Sequence, residues 1–315
     1  MKVVTVGTSK IVKELIEAFK KAEIEVFACV SRDERRAESF AKQMGIARYS
    51  ADYDYILDSR EFDFIYLGIP NSLHYEYARK ALLKGKNVIV EKPIAPDFKK
   101  ARELYELAIR QRLFIFDGLM PLYNPLLKDL RNDLLKIGPI KAASFNFMKL
   151  SSKWERFKNG ETITTLSKAY DGGALNDLGI YSLALIAGLF DLPKEAFYIA
   201  NEMAGVDVSG SFVLKYPNLV VNGICGKDGD GPCGFFIAGE KGHIESVQSP
   251  SLFSEYTLIS NGESIVHKID RFDPYVNELL MMKMMVDYQD FERFGQKMMW
   301  SLKTLKILDS LHQKS

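Results

Sequence analysis

The first 117 residues alternate short apolar runs with amphipathic segments, and this alternation restricts the available folds more than any other feature of the chain. Val3 to Val6 and Val26 to Val30 are strand-like runs. Between them Ile11, Leu15, Ile16 and Phe19 recur at helical spacing, on one face. A charged helix is predicted from Asp33 to Gln43 and a third strand from Phe62 to Ile69. Asn71 and Ser72 read as caps of a helix reaching about Leu83, which Gly85 ends. Asn87 to Val90 follows as a strand, then a helix capped by Asp97 and reaching Arg110, then a strand from Leu113 to Phe116. Such a repeat implies a parallel sheet with helices on both faces. Right-handed crossovers make it doubly wound.

The rhythm breaks near Pro121 and Pro125, so the expected domains are 1–119 and 120–315. A helix from Leu126 to Lys136 and a turn at Gly138-Pro139 lead into a strand from Ile140 to Met148. Trp154 to Ala169 is polar and reads as a loop. A helix is expected from about Gly173 to Phe190. Strands then follow in series, at Ala196 to Glu202, Ser211 to Tyr216, Leu219 to Cys225, Cys233 to Ala238, and two or three more before Lys268. Helices from about Pro274 and Phe294 close the chain. The fold expected is therefore α/β, a doubly wound (Rossmann) domain followed by an α+β domain with a mostly antiparallel open sheet. In those strands Phe212, Leu214 and Tyr216 alternate with Val213, and Val220 and Ile224 with Val221 and Cys225. A half-solvated sheet shows a cleaner alternation, and an apolar second face is too large to leave in water. A homodimer or larger closed homo-oligomer, packed through this sheet, is predicted.

Composition narrows the partners. The 42 basic and 41 acidic residues give a net charge of +1, without the basic excess that nucleic acid or an anionic membrane demands. No apolar run is read as a bilayer span of roughly 18 residues, and the first residues read as a strand rather than a signal peptide. Three widely spaced cysteines argue for a reducing, cytoplasmic compartment. The four histidines have no metal-ligand spacing, so no metal is expected.

In an open parallel sheet, ligands bind outside the carboxyl ends of the strands. There stand Gly7, Thr8 and Ser9, with Ile11 opening the helix beyond; then Ser31 and Arg32; Pro70, Asn71 and His74; and Glu91 with Lys92. These are the candidate cofactor contacts. The dinucleotide fingerprint wants three glycines, and this chain has Gly7, Ser9 and Val12. Gly7 suits the tight turn and Ser9 is small, whereas Val12 is expected to push the helix slightly off the strand. The competing reading is an ordinary strand-to-helix turn. At the second strand an acid would select NAD. Ser31 and Arg32, with Arg35 and Arg36 behind, suit the 2′-phosphate of NADP instead. A solvated helix start is the plainer alternative, and Asp33 is close enough to reach a ribose, so NAD stays open.

Lys92, at the mouth of the expected cleft, can bond a ribose and a substrate oxygen and favour an alkoxide. Most lysines are simply surface groups. Asp177 and Tyr181 lie four residues apart, on one helix face. A phenol with an ordinary pKa of about 10 is a poor acid-base group near neutrality, and a neighbouring ammonium would lower it. Lys92 and Tyr181, from different domains, are thus the candidate proton-transfer pair, with Asp177 orienting the substrate or the lysine. The plainer readings are a half-buried core tyrosine and a helix-start charge.

Pro70-Asn71-Ser72-Leu73-His74, Gly85-Lys86-Asn87-Val88-Ile89-Val90-Glu91-Lys92-Pro93 and Gly172-Gly173-Ala174-Leu175-Asn176-Asp177-Leu178-Gly179-Ile180-Tyr181 resemble the Gfo/Idh/MocA oxidoreductases over nearly the whole chain. The tyrosine at 181 is similar to the branch with dihydrodiol dehydrogenase and glucose-fructose oxidoreductase. That resemblance implies Lys92 and Tyr181 as catalytic residues, NADP as cofactor, and sugars, polyols or cyclic diols as substrates. Met120 to Pro125 lacks the arginine common in that branch. Relatives that have lost catalysis act as cofactor-sensing regulators. They set the alternative, a non-catalytic NADP-sensing protein.

Overall fold

The structure, a computed structural model, describes residues 1–313. The chain forms two compact units, and it does not divide once, as the expected boundary at 119/120 would have it. Met1–Gly118 groups with Tyr275–Met298, and Leu119–Pro274 with the chain from Met299 onward.

The first unit contains β1 (Lys2–Val6), α1 (Lys10–Lys21), β2 (Glu25–Val30), α2 (Glu34–Met44), β3 (Tyr49–Ser50), α3 (Tyr53–Leu57), β4 (Phe64–Leu67), α4 (His74–Leu83), β5 (Asn87–Val90), α5 (Phe98–Gln111) and β6 (Ile115–Asp117). Its six strands are parallel, in the order β3-β2-β1-β4-β5-β6. The order reverses beside β1, which puts the switch-point crevice at the carboxyl ends of β1 and β4. Val3, Val4 and Val6 of β1 and all of β4 are buried, as strands covered on both faces require. On α1, Val12, Leu15, Ile16 and Phe19 face inward. Asp33 and Asp97 cap α2 and α5 through the backbone N–H groups of Arg36 and Lys100. The expected caps at Asn71 and Ser72 do not form. Asn71–Leu73 is a 3₁₀ turn, and α4 begins only at His74, without a side-chain cap.

The late segment joins this unit through aromatic packing. Among the described residues, α10 (Pro274–Asp287) and α11 (Phe291–His312) close the chain. Phe291 and Phe294 lie 4.5 Å and 5.2 Å from Phe114, and Phe294 lies 5.5 Å from Phe116, between ring centroids.

The second unit contains α6 (Met120–Tyr123), α7 (Leu127–Lys136), β7 (Ile140–Met148), α8 (Trp154–Lys158) and α9 (Ile180–Leu189). Then come β8 (Glu195–Met203), β9 (Val206–Lys215), β10 (Val220–Gly226), β11 (Cys233–Gly239), β12 (Gly242–Ser246), β13 (Glu255–Ser260) and β14 (Glu263–Lys268). Its eight strands are ordered β14-β13-β12-β11-β7-β10-β9-β8, antiparallel except where β10 runs parallel to β7. The stretch expected to be a loop, Trp154 to Ala169, instead forms α8 and two 3₁₀ turns. Phe157, Ile163 and Leu166 anchor it against Val206 and Val208, a small core of its own. Ile180 and Ser182 to Gly188 of α9 are buried on one face of the sheet. The segment Lys168–Leu189 is long and apolar enough, by length and composition, to cross a membrane, contrary to the expectation that no run would be. It serves as interior structure here, with 67% of its most apolar window buried.

Phe212, Leu214, Val221 and Cys225 line the covered face of the sheet with no exposure. On the opposite face Phe197 pairs with Val213, Val213 with Asn222, and Ser144 with Phe236. Ile199 is 78% exposed there, and Val220 and Ile224 are also open.

Candidate functional site

In the first unit the turn after β1 is tight. Gly7 has φ +111°, and a Cβ there would lie 2.3 Å from the Gly68 carbonyl oxygen. A Cβ on Gly68 would in turn lie 2.4 Å from Val12 Cγ2. The bulk of Val12 is therefore absorbed at the end of β4 rather than pushing α1 away, and Val12 is wholly buried. Gly68 supplies the space that a glycine at 12 would have left. Ser9 precedes α1 without making a side-chain cap, and no acid stands in the first turn. The first N–H groups of α1, from about Ile11 on, have no competing side-chain acceptor, which suits a phosphate.

At the end of β2, Arg32 is exposed and Ser31 half-buried. Asp33 caps α2, with Oδ1 accepting from Arg36 N at 2.8 Å; a carboxylate has a second oxygen to offer a ribose. Arg36, noted in the sequence only as a neighbour, donates from Nε to Thr8 Oγ1 at 2.8 Å. It ties α2 to the turn after β1 and adds a second guanidinium to the edge where Arg32 lies.

The loops after β4 and β5 are joined by His74. The ring is fully buried, with Nδ1 2.7 Å from the Pro93 carbonyl and Nε2 2.8 Å from that of Ile69. It braces Pro70 and Asn71 against the Lys92-Pro93 loop. Glu91 is fixed through its backbone N–H to Leu67 O, and its carboxylate accepts from Tyr66 Oη at 2.9 Å. Burial keeps the Tyr66 phenol well above its usual range, so it is a donor here. Glu278, on α10, is buried nearby and has an oxygen without a hydrogen-bond partner. Desolvation, with Glu91 and Asp117 close, raises its carboxyl well above the usual glutamate range.

In the second unit, Asp177 does not lie on an ordinary helix from Gly173. Leu175–Gly179 is a π turn that runs into α9. Gly173, at φ +129°, lies so close to Asp207 that a Cβ would overlap its carboxylate. Asp207 accepts from Leu175 N at 2.7 Å and from Tyr198 Oη at 2.8 Å. Asp177 N donates to Gly173 O, and Asn176 bonds Asp171 O and His312. Gly179 presses on β10, where a Cβ would be 3.1 Å from Cys225 Sγ. Tyr181 opens α9 with its ring 6.1 Å from that of Phe147.

Lys227, beyond the end of β10, forms an ion pair with Asp177; the side chains are 6% and 24% exposed. Nothing in the run Gly226-Lys227-Asp228 announces a buried lysine, because the signal is its partner 50 residues away. Breaking a buried pair from one side typically costs ~3–5 kcal/mol, which makes this tie a strong constraint on Asp177. Among the described residues no cluster of histidine, cysteine and carboxylates could hold a metal ion.

Residues 1–118 match the model of the oxidoreductase family with the NAD-binding Rossmann fold, GFO_IDH_MocA. An oxidoreductase of Escherichia coli, YgjR, is 29% identical over 76% of this chain and 74% of its own length. The scyllo-inositol 2-dehydrogenase (NADP(+)) IolU of Bacillus subtilis is 30% identical over 67% of this chain and 65% of its own, so the alignment spans just under two thirds of that relative. Among solved structures, a 3-ketoreductase from Actinomadura kijaniata, in complex with TDP-benzene and NADP, superposes with a TM-score of 0.83 at 19% identity, covering 100% of this chain and 97% of that one.

Proposed function

We propose that the chain is a member of the Gfo/Idh/MocA family of oxidoreductases and moves a hydride between NADP(H) and a secondary alcohol or carbonyl of a polyol, sugar or cyclic diol. The observation that carries this reading is one chain holding Lys92 just past the carboxyl end of β5 in a dinucleotide-binding unit, and Asp177 on a braced π turn that runs into α9 with Tyr181.

NADP fits the residues present. The turn at Gly7 and the uncapped start of α1 suit the pyrophosphate, and Thr8, Ser9 and Ile11 would line it. Ser31, Arg32 and Arg36 would hold the 2′-phosphate. Pro70, Asn71 and Glu91, fixed through His74 and Tyr66, would shape the nicotinamide end. When bound, the cofactor supplies or accepts the hydride. Lys92 would donate a hydrogen bond to the reacting oxygen and lower the cost of its negative charge. Tyr181 would take up or return the hydroxyl proton. Asp177, anionic against Lys227, would accept from a substrate hydroxyl and fix its orientation. The Bacillus subtilis relative is a dehydrogenase, which favours catalysis over the non-catalytic alternative.

The open sheet face also suggests the assembly. Phe197, Ile199, Val213, Val220, Ile224 and Phe236 form an apolar band on the side away from α9. A second copy, packed about a two-fold axis, would cover it.

A screen of sugars, polyols and diols with NADP and NAD, read by the absorbance of the reduced nicotinamide, tests the activity. Turnover of a polyol or sugar with NADP preferred is the expected result. With that substrate, Lys92→Ala should lower kcat by at least about 100-fold while leaving NADPH binding within about threefold. A fully active Lys92→Ala enzyme would refute the mechanism.

A further inference from the structure

We propose that Lys227 is a positioning residue for this reaction, holding the Asp177 carboxylate ionised and in one rotamer so that it accepts a hydrogen bond from a substrate hydroxyl; the inference rests on the polyol reading above.

The lysine is built in rather than left on the surface. Its backbone N–H donates to Val208 O at 2.8 Å, and its carbonyl accepts from Ser151 N at 2.9 Å. With the main chain held on both sides, the side chain is only 6% exposed. The adjacent Asp228 does not take the charge in its place; it accepts from Ser209 Oγ at 2.8 Å. Asp207, the other buried carboxylate of this corner, is engaged by Leu175 N and Tyr198 Oη. The ammonium is thus directed across to the π turn, where it meets Asp177.

The backbone approach that allows this is visible in the glycines. Gly179 has no side chain to hold the π turn away from Cys225, two residues before Lys227. The turn and the strand end are therefore close enough for a lysine to span. A π turn carries one residue more than an α turn and re-aims the side chains it contains. Here the re-aimed group is Asp177, four residues before Tyr181.

The chemistry follows from what a polyol does on binding. Asp177 is 24% exposed, so an arriving substrate removes the water that solvates it. A carboxylate losing water tends to take up a proton, and an adjacent ammonium opposes that. With Lys227 in place Asp177 stays an acceptor as the site dries. Without it, the group can protonate or swing, and the hydroxyl beside the reacting carbon loses its anchor. Lys227 touches neither substrate nor cofactor in this account; it acts through Asp177.

The test is a double-mutant cycle with NADP and three probes: scyllo-inositol, D-xylose and trans-1,2-cyclohexanediol. Wild type, Asp177→Asn, Lys227→Met and the double variant are compared by kcat, KM, NADPH binding and melting temperature. If Lys227 acts through Asp177, both single variants lose kcat by about 100-fold with NADPH affinity within about twofold, and the double variant is no worse than the poorer single one. Lys227→Arg, which keeps the charge and shifts it, should fall between, about tenfold below wild type. Multiplying losses in the double variant, or full activity in Lys227→Met or Asp177→Asn, overturn the proposal. If Lys227→Met does not fold, Lys227→Arg is read in the wild-type and Asp177→Asn backgrounds: a loss in the first that vanishes in the second supports the proposal, and equal losses overturn it. A wild type inactive on all three probes removes the polyol reading and this inference together, whereas an active wild type matched by an active Lys227→Met removes the inference alone.

Discussion

Gly68 and Val12 share one volume, and their contact decides how α1 meets β4. A methyl group on Gly68 would lie 2.4 Å from Val12 Cγ2, well inside van der Waals contact. Overpacking of this kind typically costs ~1–3 kcal/mol. Gly68→Ala should lower the melting temperature measured by calorimetry, and Val12→Ala in the same chain should recover most of the loss. Failure of the second change to rescue would show that the strain falls elsewhere, such as on Tyr66, whose ring is also close. A second prediction concerns Arg36 and Arg32. Either Arg→Ala change should weaken NADPH more than NADH in fluorescence titrations, because only NADPH carries the 2′-phosphate. Arg36→Ala should also loosen the β1 turn through Thr8, giving a smaller but measurable loss for NADH. Lys92, Asp177 and Tyr181 could be proposed from the sequence because the candidate chemistry is carried by short runs at strand ends and helix starts. The contacts of Gly68, Arg36, Asp207 and Lys227 could not be. Each matters through a partner distant in sequence, and local spacing holds no record of that partner.

At the scale of elements, the strand-helix rhythm was readable because burial on both faces leaves near-continuous apolar runs in β1, β4 and β5. The stretch from Trp154 to Ala169 misled, since its polar composition hides three apolar anchors, Phe157, Ile163 and Leu166, at no regular period. The π turn was read as plain helix, because i to i+4 patterning does not distinguish the two. Its support makes a third prediction. Asp207→Asn keeps the shape but weakens the acceptor for Leu175 N and Tyr198 Oη. A loss of ~1–3 kcal/mol in urea unfolding is expected, with a fall in kcat as Asp177 is displaced. Helix α10 supplies a fourth. Burial and the carboxylates of Glu91 and Asp117 raise the folded-state pKa of Glu278 well above its ordinary 4.5. The folded chain therefore holds this proton more tightly than the unfolded chain. The contribution is fully favourable below the unfolded value and is lost as pH rises from there through the folded value. Glu278→Gln removes that slope, so its melting temperature should gain on wild type as pH rises from 4.5 upward. A gap that stays constant with pH would show that Glu278 does not titrate in this way.

Over the whole molecule, the mixed apolar pattern of β8 to β11 resolves into a covered face and an open one. Ile199, Val213 and Ile224 occupy the open face. Light scattering at micromolar concentration should give at least twice the 35.7 kDa chain mass. Ile224→Glu with Val213→Glu should return it to one chain, because two charges at the centre of the band cannot be desolvated cheaply. The division into units was only half legible, since nothing in Tyr275–Met298 says to which core its apolar residues belong. That late return has a consequence for the order in which the protein is made. The ribosome delivers the six parallel strands first, yet Phe114 and Phe116 wait for Phe291 and Phe294, more than 170 residues further along the chain. Domains generally fold as units during synthesis, at roughly 5–20 residues per second. The nucleotide-binding unit must therefore stay unfinished for on the order of ten seconds or more, its β6 edge exposed, while every strand of the other sheet emerges. A nascent chain stalled after Gly118 should be open to protease at that edge and become protected only once residue 298 has left the exit tunnel.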